Sequence, residues 1–562
     1  MVIVNKTEYL SKVITFLDGP QFQKLECDPT KTFQAKVQRN LLKMKKAFDK
    51  DLYKKLYPSS SQPGLFFGLA KVHKLTENNC NVSELPLRPV ISNIGTATYQ
   101  VAKYLAKELA PLTKSEFCID SSKDFIGKMK SKSIESDYVM VSFDVVSLFT
   151  SVPLDYTINL ILDKIYKDKL VETKLSRANF KILLEMCTKE MHFSFNNCIY
   201  KQVNGVAMGS PLGPVLANIF MVELENTIIP KLNGKLSLWY RYVDDTFTFI
   251  KKGEALNVRD ILNTFNENIK FTFEEEKSSE ISFLDVGVRR KNCGSFDTKV
   301  HRKETDTNIY LNWKSFAPNS WKVGTLKGLF RRAYIICSTK TALKNEIKHL
   351  KNVFTKINGY PSRVVNDTLQ NVIKKIEREN TLEHVSNNIL PGNQSVNVNG
   401  EVEATPYFCV PYKGKEGETV INKFKGFVSN MLPTGVKSRF TYKGKKLGSF
   451  FPVKDQVKKE HQSNLVYGYS GNISEMHDPD YIGETCVRFE ARIHEHTVTD
   501  KQSSVFKHIT GSDIEWVDDD FFVLGKGYNK TFDRRIAESL YIKQYKPMLN
   551  EQSDSYKLKL FN

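Results

Sequence analysis

The stretch RYVDDTF (241–247) places two adjacent aspartates, Asp244 and Asp245, inside a run rich in aromatic and β-branched residues. Residues 236–250 therefore predict two strands joined by a turn that carries both carboxylates. Two neighbouring carboxylates at a hairpin tip repel each other and add nothing to a core, although a lone Asp-Asp pair is most often an ordinary turn. A catalytic interpretation requires a third carboxylate from elsewhere in the chain.

A third carboxylate lies about one hundred residues earlier, in VSFDVVSLFTSVP (141–153). The apolar residues 138–143 predict a buried strand that ends on Asp144. A glycine-rich segment, GVAMGSPLG (205–213), stands between the two aspartate motifs. The order of strand, glycine-rich loop with helix, and Asp-Asp hairpin is the order found in a polymerase palm.

The three aspartates predict a metal-dependent reaction. If two strand ends bring Asp144, Asp244 and Asp245 together, they form a site for two Mg²⁺ ions, because hard divalent cations take oxygen ligands. A pair of such ions can activate an attacking hydroxyl and stabilise a leaving pyrophosphate. The carboxylates therefore predict nucleotidyl transfer.

Composition and charge limit the class of protein. The chain has 562 residues, enough for about three to four domains. Its 41% apolar and 26% charged residues exclude a wholly disordered chain. Lys and Arg number 82 against 63 Asp and Glu, and the net charge of +19 predicts a polyanionic partner such as nucleic acid. On charge alone, a basic protein with a solvated lysine-rich surface is an equal alternative.

Three further features concern location. The sequence has no run of 18 apolar residues, so we expect no membrane-spanning helix. The first residues lack a basic region followed by an apolar run, which argues against a secretory signal. The nine cysteines are scattered and form no C-x-x-C pair, which favours free thiols in a reducing compartment and gives no cysteine-based zinc site.

Local patterns organise the rest of the chain. They predict a helical region (1–57), a loop (59–64), a helix from about Ile158, a strand (281–289) and a linker rich in Asn, Ser, Gly and Pro (376–403). Residues 411–460 hold 12 Lys or Arg against 4 Asp or Glu. This charge favours a segment that faces nucleic acid, with a solvated tether as an equal alternative.

Seven blocks, in order, make residues 20–365 similar to the reverse transcriptase of Penelope-like retroelements. The blocks are GLAKVHK (68–74), PLRPVISNIGTATYQVAKYLAKELAPL (86–112), VSFDVVSLFTSVP (141–153), YKQVNGVAMGSPLGPVLANIF (200–220), RYVDDTF (241–247), FLDV (283–286) and NGYP (358–361). That group is related to telomerase reverse transcriptase. The resemblance implies an α+β right-hand polymerase with fingers, palm and thumb. Ala70 stands where the first block usually has proline.

The resemblance also implies roles for single residues. Asp144, Asp244 and Asp245 become the Mg²⁺ ligands. Phe149 falls where a bulky ring would clash with a ribose 2′-hydroxyl, which favours dNTPs over NTPs, although a plain core aromatic is its alternative. The other expected contacts to template, triphosphate or templating base pair come from Lys71, Arg88, Gly209 and Ser210. For the two cations, ordinary surface charge is the alternative.

The C-terminal residues 464–550 carry a second set of chemical groups. It contains Tyr467, Tyr481, Arg492 and Glu538. A carboxylate can hold one divalent ion, an arginine can neutralise a phosphate in the transition state, and a tyrosine can position or deprotonate water. Together they suit phosphodiester hydrolysis, although each alone also suits a core or surface position.

This set resembles a small α/β GIY-YIG nuclease domain, the endonuclease that accompanies the polymerase in Penelope-like elements. The resemblance makes Tyr467 and Tyr481 the motif tyrosines, Arg492 the catalytic arginine and Glu538 the ligand of one Mg²⁺. Asn550 becomes the polar residue at the helix end, which we expect to contact substrate.

Two features depart from that nuclease pattern. The first motif reads LVY (465–467) and lacks its usual glycine, and the family's cysteine pair is missing from residues 471–480. His496 and His508 occupy plausible positions for the family's paired histidines. Zinc prefers thiolate and imidazole ligands, so we doubt a structural zinc site here.

We therefore expect a two-activity retroelement enzyme that nicks DNA and extends the exposed 3′ end along an RNA template. Its partners would be template RNA, target and primer DNA and dNTPs, with no membrane. The family implies synthesis in the cytoplasm and work in the nucleus. A decayed or domesticated nucleic-acid-binding protein with an inactive nuclease domain and an RNA-templated RNA polymerase are the alternatives.

The expected domains follow the same resemblance. They are an N-terminal helical region with fingers (1–135), a palm (136–295), a thumb-like helical region (296–375), a linker with basic connector (376–460) and the nuclease domain (461–562).

Overall fold

The computed structural model describes most of the chain. The described residues are 4–71, 86–387, 407–432, 438–444, 454–455, 457–471, 478–511, 515–528 and 530–551. The chain divides into two compact units, which are called the first unit (1–114, 147–223 and 453–562) and the second unit (115–146 and 224–452). The fold is a mixture of helices and sheets, as the sequence predicted.

Helices occur throughout the described residues. In chain order they are α1 (Lys6–Leu17), α2 (Thr30–Lys43), α3 (Lys50–Leu56), α4 (Tyr99–Leu109), α5 (Ser122–Met129), α6 (Leu148–Ser151), α7 (Leu154–Tyr166), α8 (Arg177–Thr188), α9 (Gly213–Ile228), α10 (Ala255–Asn263), α11 (Asn319–Ile336), α12 (Lys340–Asn352), α13 (Ser362–Asn387), α14 (Gly414–Met431), α15 (Phe489–His494), α16 (Ser504–Gly511) and α17 (Thr531–Tyr545).

The strands form five sheets. In chain order they are β1 (Phe22–Leu25), β2 (Gly64–Ala70), β3 (Leu87–Ser92), β4 (Tyr138–Val145), β5 (His192–Phe195), β6 (Cys198–Gln202), β7 (Leu236–Tyr242), β8 (Asp245–Lys251), β9 (Phe271–Glu275), β10 (Glu280–Phe283), β11 (Val286–Arg290), β12 (Phe296–Val300), β13 (Tyr407–Pro411), β14 (Arg439–Lys443), β15 (Leu465–Tyr469), β16 (Tyr481–Thr485) and β17 (Phe521–Lys526). The sheet orders are β1-β6-β5-β2-β3, β7-β8-β4-β9, β10-β11-β12, β13-β14 and β16-β15-β17.

The four-stranded sheet of the second unit is antiparallel and confirms the two predicted aspartate strands. The rings of Phe247 and Phe249 project into one core together with Phe125 and Phe283. Ring centroids in this cluster lie 4.7 Å apart for Phe125 and Phe283 and 5.0 Å apart for Phe125 and Phe247. Residues 246–250 of β8 are all buried, so the strand is covered on both faces and these aromatic rings fill the space against one of them.

A buried threonine, Thr246, connects β8 to β4 beside the aspartates. The N–H of Phe143 donates to Thr246 Oγ1 over 2.9 Å, and the same hydroxyl donates to the Phe143 carbonyl over 3.1 Å. The Thr248 hydroxyl similarly donates to the Val141 carbonyl over 3.0 Å. The side chain of Thr246 thus satisfies both backbone groups of Phe143 and fixes the register of the two strands at this point.

The second unit also corrects two predictions. Residues 281–289 do not form one strand, because they fold as the hairpin β10–β11 with a turn at Leu284 and Asp285. Leu284 has a φ of 56°, a conformation that leucine rarely adopts, so the sequence carries no turn signal there. The predicted linker 376–403 begins inside a helix, because α13 continues to Asn387; residues 388–403 lie outside the described part.

Three helices of the second unit, α11, α12 and α13, pack around a separate core. Its buried side chains include Leu326, Phe330, Leu350, Phe354 and Tyr360. The basic segment that follows is partly ordered, because β13 and β14 pair in parallel and α14 connects them. The charge-rich stretch is therefore not only a tether.

The first unit contains the five-stranded sheet and the C-terminal domain. Residues 1–57 are largely helical as predicted, but β1 interrupts them and pairs with β6. Helix α7 begins four residues before the predicted Ile158, directly after Pro153. Within this unit the C-terminal domain contacts the N-terminal region, for example through the ion pair of Lys31 with Glu490 at 2.9 Å. Residues 147–223 of the expected palm range also fall in this unit.

The C-terminal domain is built on the antiparallel sheet β16-β15-β17. One apolar cluster includes Tyr467, Phe489 and Phe521, and a second includes Val466, Ile482 and Ile542. Consecutive residues of β15 thus enter different clusters, as expected for a strand covered on both faces. No helix among the described residues is long and apolar enough to cross a membrane.

The threonine contact makes a stability prediction. Thr246→Val should lower the free energy of unfolding by about 1–3 kcal/mol, because two buried backbone groups of Phe143 lose their partner. Thr272→Val is the matched control, since its hydroxyl makes a longer bond of 3.3 Å to the Asp144 carbonyl at an exposed position. Urea denaturation measures both, and equal values for the two variants would contradict the role of Thr246.

Candidate active site

The structure brings two of the three predicted aspartates together directly. Asp144 lies on β4 with an exposed side chain, and Asp245 is the first residue of β8. Their Cα atoms are partners in the β4–β8 register. Directly opposed residues on neighbouring strands have Cβ atoms about 4.5–5.5 Å apart, so the two carboxylates share one side of the sheet.

The third aspartate sits in the tight turn between β7 and β8. Tyr242 pairs with Asp245, which leaves only Val243 and Asp244 in the turn. Val243 has a φ of 58°, a strained value for a β-branched residue, and two-residue hairpins require such positive φ values. The turn therefore holds Asp244 next to the opposed pair, and the sequence did not reveal the strain.

A fully buried ion pair supports this turn. Arg241 Nε donates to Glu225 Oε1 over 2.6 Å and Arg241 Nη2 donates to Glu225 Oε2 over 3.1 Å, with no side-chain exposure for either residue. Trp239 Nε1 donates to the same carboxylate over 3.0 Å, and Arg241 Nη1 donates to the carbonyl of Val243 over 3.0 Å. The guanidinium thus ties α9 to the turn residue that precedes Asp244.

Sequence reasoning missed Arg241 and Glu225 as parts of the site. A signal was present, because Arg241 follows Trp239 and Tyr240 in a strand where a buried charge needs a partner. The partner stands sixteen residues earlier on a helix, and no local pattern connects the two.

Electrostatics make Asp245 the unusual acid of the three. Burial raises the pKa of Asp245 from 3.8 to about 6, and the carboxylates of Asp144 and Asp244 add to the increase. The Ser142 hydroxyl, which donates over 3.2 Å, and the N–H of Leu284 act in the opposite direction. The β10–β11 turn thus also contacts the site, and the FLDV block contributes to it through the Leu284 N–H.

The three aspartates fit a hard divalent cation. Among the residues that the structure describes, no three His, Cys, Asp or Glu side chains converge closely enough to hold a metal ion as they stand. The donors are nevertheless all carboxylate oxygens. The pKa of Asp245 is raised first by burial and then by the charges of Asp144 and Asp244, and a cation between the carboxylates would offset both effects. Mg²⁺ prefers such oxygen ligands.

The glycine-rich segment lies in the first unit and approaches backbone closely. Gly209 has a φ of 117°, and a Cβ there would stand 2.3 Å from the Ile91 carbonyl oxygen. The Ile91 N–H donates to the Met208 carbonyl over 2.7 Å. Ser210 is buried beside it, and its hydroxyl accepts from the Leu212 N–H over 3.3 Å. Only glycine fits this approach of two backbone segments.

The remaining predicted polymerase contacts also lie in the first unit. Phe149 is half-buried on α6, and its carbonyl accepts from the Val206 N–H over 2.7 Å. Arg88 is exposed on β3 opposite Leu69, and Lys71 follows directly after β2. The rest of the GLAKVHK block, from residue 72 onward, lies outside the described residues.

The C-terminal domain assembles a second cluster around a buried tyrosine. Arg492 Nε donates to Tyr467 Oη over 3.0 Å, and Tyr467 Oη lies 2.6 Å from His496 Nε2. His496 Nδ1 lies 2.5 Å from Ser503 Oγ. Arginine only donates, so the Tyr467 hydroxyl accepts from Arg492. Which atom donates in each of the two His496 contacts follows from the imidazole tautomer.

Burial controls the protonation of this cluster. It lowers the pKa of His496 from 6.5 to about 3, with Arg492 adding to the decrease, so the imidazole is neutral at physiological pH. Burial also raises the pKa of Tyr467 well above 10. Both ring nitrogens of His496 have partners within the domain. Sequence analysis did not predict these contacts and considered His496 only as a possible zinc ligand.

The other predicted nuclease residues lie near the cluster. Tyr481 is only half-buried, and its ring centroid is 5.2 Å from that of His496. Glu538 is buried on α17 and raises the pKa of Tyr467 and Tyr481 by its charge. Asn550 does not face outward as expected for substrate, because its amide bonds the N–H and the carbonyl of Ile482, each over 2.8 Å. These two hydrogen bonds connect Asn550 to β16, so its role in the structure is to hold the chain end against that strand.

His508 lies apart from this cluster. Its ring stands 6.2 Å from that of Tyr469, and its Nε2 is buried without a hydrogen bond among the described residues.

An antiparallel sheet with opposed aspartates and an Asp-Asp hairpin belongs to the palm class of nucleotide polymerases. Residues 86–311 match the family "Reverse transcriptase (RNA-dependent DNA polymerase)", so the chain carries a reverse transcriptase domain. This match favours reverse transcriptase over an RNA-templated RNA polymerase. Residues 309–370, which include α11 and α12, match the "Animal helix-turn-helix domain".

Solved structures give looser likenesses. A telomerase from Candida albicans shares 11% identity and covers 62% of this chain and 66% of its own, with a TM-score of 0.38. The Sicinivirus 3Dpol RNA-dependent RNA polymerase shares 11% identity and covers 58% of this chain and 71% of its own, with a TM-score of 0.36.

The first similar telomerase structure, from Candida tropicalis, shares 12% identity with a TM-score of 0.30. The match covers 38% of this chain and only about half, 52%, of that one. Likenesses this loose carry no argument about function. No curated protein matches the chain.

The raised pKa of Asp245 predicts a gain in stability when its charge is removed. The unfolded chain loses this proton near pH 3.8 and the folded chain near pH 6, so folding is penalised progressively between these values and fully above them. Asp245→Asn should therefore raise the free energy of unfolding at pH 8 by about 1–3 kcal/mol, at ~1.4 kcal/mol per pKa unit.

The same variant should lose this advantage as the pH falls toward 4. Urea denaturation at pH 8 and pH 4.5, without divalent cations, measures the effect. Asp260→Asn is the control, because Asp260 is exposed on α10 and pairs with its neighbour Arg259. A destabilised Asp245→Asn protein at pH 8 would show that the carboxylate is not held under repulsion.

Proposed function

We propose that this chain is the RNA-directed DNA polymerase of a Penelope-like retroelement, coupled to an endonuclease that nicks DNA for target-primed reverse transcription. The direct pairing of Asp144 with Asp245, beside Asp244 and within the reverse transcriptase domain, carries the polymerase part. The Penelope-like assignment rests on the seven sequence blocks. RNA template, DNA primer and dNTPs follow as partners, and nuclear action follows from the family.

In this proposal the aspartates hold two Mg²⁺ ions. Asp144, Asp244 and Asp245 would hold them, and bound Mg²⁺ would supply activation of the primer 3′-hydroxyl and charge stabilisation for the leaving pyrophosphate. The chain itself supplies rigid placement: the Arg241–Glu225 pair fixes the turn, and Thr246 fixes the strand register. Burial raises the pKa of Asp245 to about 6, and a cation bound beside it would favour the ionised carboxylate.

Substrate selection is proposed for the first unit. Phe149 discriminates against the ribose 2′-hydroxyl, and Lys71 and Arg88 contact phosphates. Close approach of backbone at Gly209 leaves no room for a side chain, which suits a smooth surface beside the templating base pair. The backbone bond from Val206 to Phe149 connects the two parts of this surface.

The endonuclease part is supported by the Tyr467–His496–Arg492 hydrogen bonds. Tyr481 is the less buried tyrosine and is proposed to position the attacking water. Tyr467 and neutral His496 stand behind it as a path for the proton. Arg492 neutralises the phosphate charge, and Glu538 holds one Mg²⁺ that stabilises the leaving group.

The polymerase proposal is tested by primer extension. With primed RNA template, dNTPs and Mg²⁺, Asp244→Ala should lose at least ~100-fold in rate, because a metal ligand is removed. Asp260→Ala, an exposed change in the same unit, should extend normally. Equal extension by Asp244→Ala and wild type, or none by well-folded wild type, would contradict the proposal and favour a binding protein.

The nuclease proposal is tested by plasmid nicking. His496→Gln and Glu538→Ala should each reduce nicking by about 10- to 1,000-fold, because one breaks the proton path and the other removes the metal ligand. His494→Ala is the control, because His494 lies between Arg492 and His496 in the sequence but is exposed. Primer extension should be normal in all three variants.

The same variants separate an active nuclease from an inactive one. Thermal melting first confirms that each variant folds. Cutting at wild-type level by both His496→Gln and Glu538→Ala would mean that the activity comes from elsewhere. No cutting by a folded wild-type protein would support the alternative of a decayed nuclease domain.

A further inference from the structure

A pocket lies in the second unit between the start of α11 and the segment formed by β13, α14 and β14. Its volume is about 380 Å³. The residues that line it and bear on its chemistry are Trp321, Glu418, Asn422, Lys425, Phe440 and Tyr442. Neither the proposed polymerase chemistry nor the proposed nuclease chemistry uses them.

Aromatic rings line this pocket and continue beside it. The indole of Trp321 is 42% exposed and lies against Gly444, where a Cβ would come within 3.0 Å of it. The ring of Tyr442 contacts Tyr412 at 5.6 Å between centroids, and Tyr412 contacts Phe316 at 5.0 Å. Phe316 is 77% exposed. Rows of accessible rings are stacking surfaces for unpaired bases.

Polar groups complete the pocket. Lys425 Nζ lies 5.7 Å from the centre of the Phe440 ring and donates to Asn422 Oδ1 over 3.3 Å. The Asn422 amide and the Glu418 carboxylate offer a donor and acceptors to the polar edge of a base. The Lys425 ammonium is a point charge that suits the neighbouring phosphate.

Charge favours a nucleic acid over a peptide as the occupant. The described residues 407–432 and 438–444 contain six Lys or Arg and two Glu, a local charge of +4. A positive surface attracts a phosphate backbone, and exposed rings bind only bases whose faces are open, as in single strands. A base pair in a duplex keeps its faces covered by its neighbours.

We propose that this pocket binds an unpaired nucleobase of a single-stranded nucleic acid, with Trp321 stacking on the base and Lys425 pairing with an adjacent phosphate. Template RNA and displaced DNA share this chemistry. The site would hold a strand outside the polymerase centre, and binding alone reports on it, so its test does not depend on catalytic activity.

The test measures affinity of the full chain for labelled 12-nucleotide strands of DNA and RNA and for a duplex of the same length. Trp321→Ala should weaken single-strand binding by about 5- to 100-fold, the range for loss of one stacked base. Duplex binding should change less than twofold. Phe427→Ala, 58% exposed on the same α14, is the matched control and should bind normally.

Two further variants make the test independent of one substitution. Lys425→Gln should make the plot of log affinity against log salt concentration less steep for single strands, by the amount expected for the loss of about one phosphate contact. Trp321→Phe should keep most of the affinity but remove the share of tryptophan fluorescence that bound strand quenches. Comparison of the DNA and RNA strands shows which one the pocket prefers.

The proposal is overturned by any of three results. These are unchanged single-strand affinity in both Trp321→Ala and Lys425→Gln, an equal loss for duplex, and a similar loss in Phe427→Ala. If Trp321→Ala does not fold, the result is judged from Trp321→Phe, which keeps an aromatic ring, and from Lys425→Gln, which keeps a long side chain without the charge.

Discussion

Two negative charges face each other across neighbouring strands, and the palm sheet has to hold them there. Asp144 and Asp245 are directly opposed, a pairing that destabilises a sheet by itself. Thr246 fixes the strand register beside them, and the buried pair of Arg241 and Glu225 fixes the turn. Loss of one partner of such a pair would leave a buried charge unpaired at a cost of about 3–5 kcal/mol, so the turn depends on both residues.

The sequence was sufficient for the strands and the acids because both have local signals. An apolar run before Asp144 and an aromatic run around Asp244 each predict a strand, and the predicted order of elements is their order along the chain. The supports of the site have no such signal. Glu225 lies on a helix whose sequence is mostly apolar. The turn at Leu284 has a positive φ, and leucine is not a residue that predicts such a turn.

The C-terminal cluster shows a different limit of sequence reasoning. The positions of Tyr467, Arg492 and Glu538 were predicted, but the partner of the tyrosine was not. A histidine in a sequence fits a metal ligand, a charged group or a neutral acceptor equally well. Burial against aromatic rings decides among these for His496, because a desolvated imidazole beside Arg492 loses its proton. Only the fold provides that burial.

The two proposed sites respond to acid in different ways, although burial shifts proton affinity in both. Protonation of Asp245 near pH 6 would remove a cation ligand, whereas His496 remains neutral down to about pH 3. In mild acid the proposed polymerase site therefore loses negative charge, whereas the imidazole in the proposed nuclease site stays neutral, because burial disfavours the charged form of an acid and of a base alike.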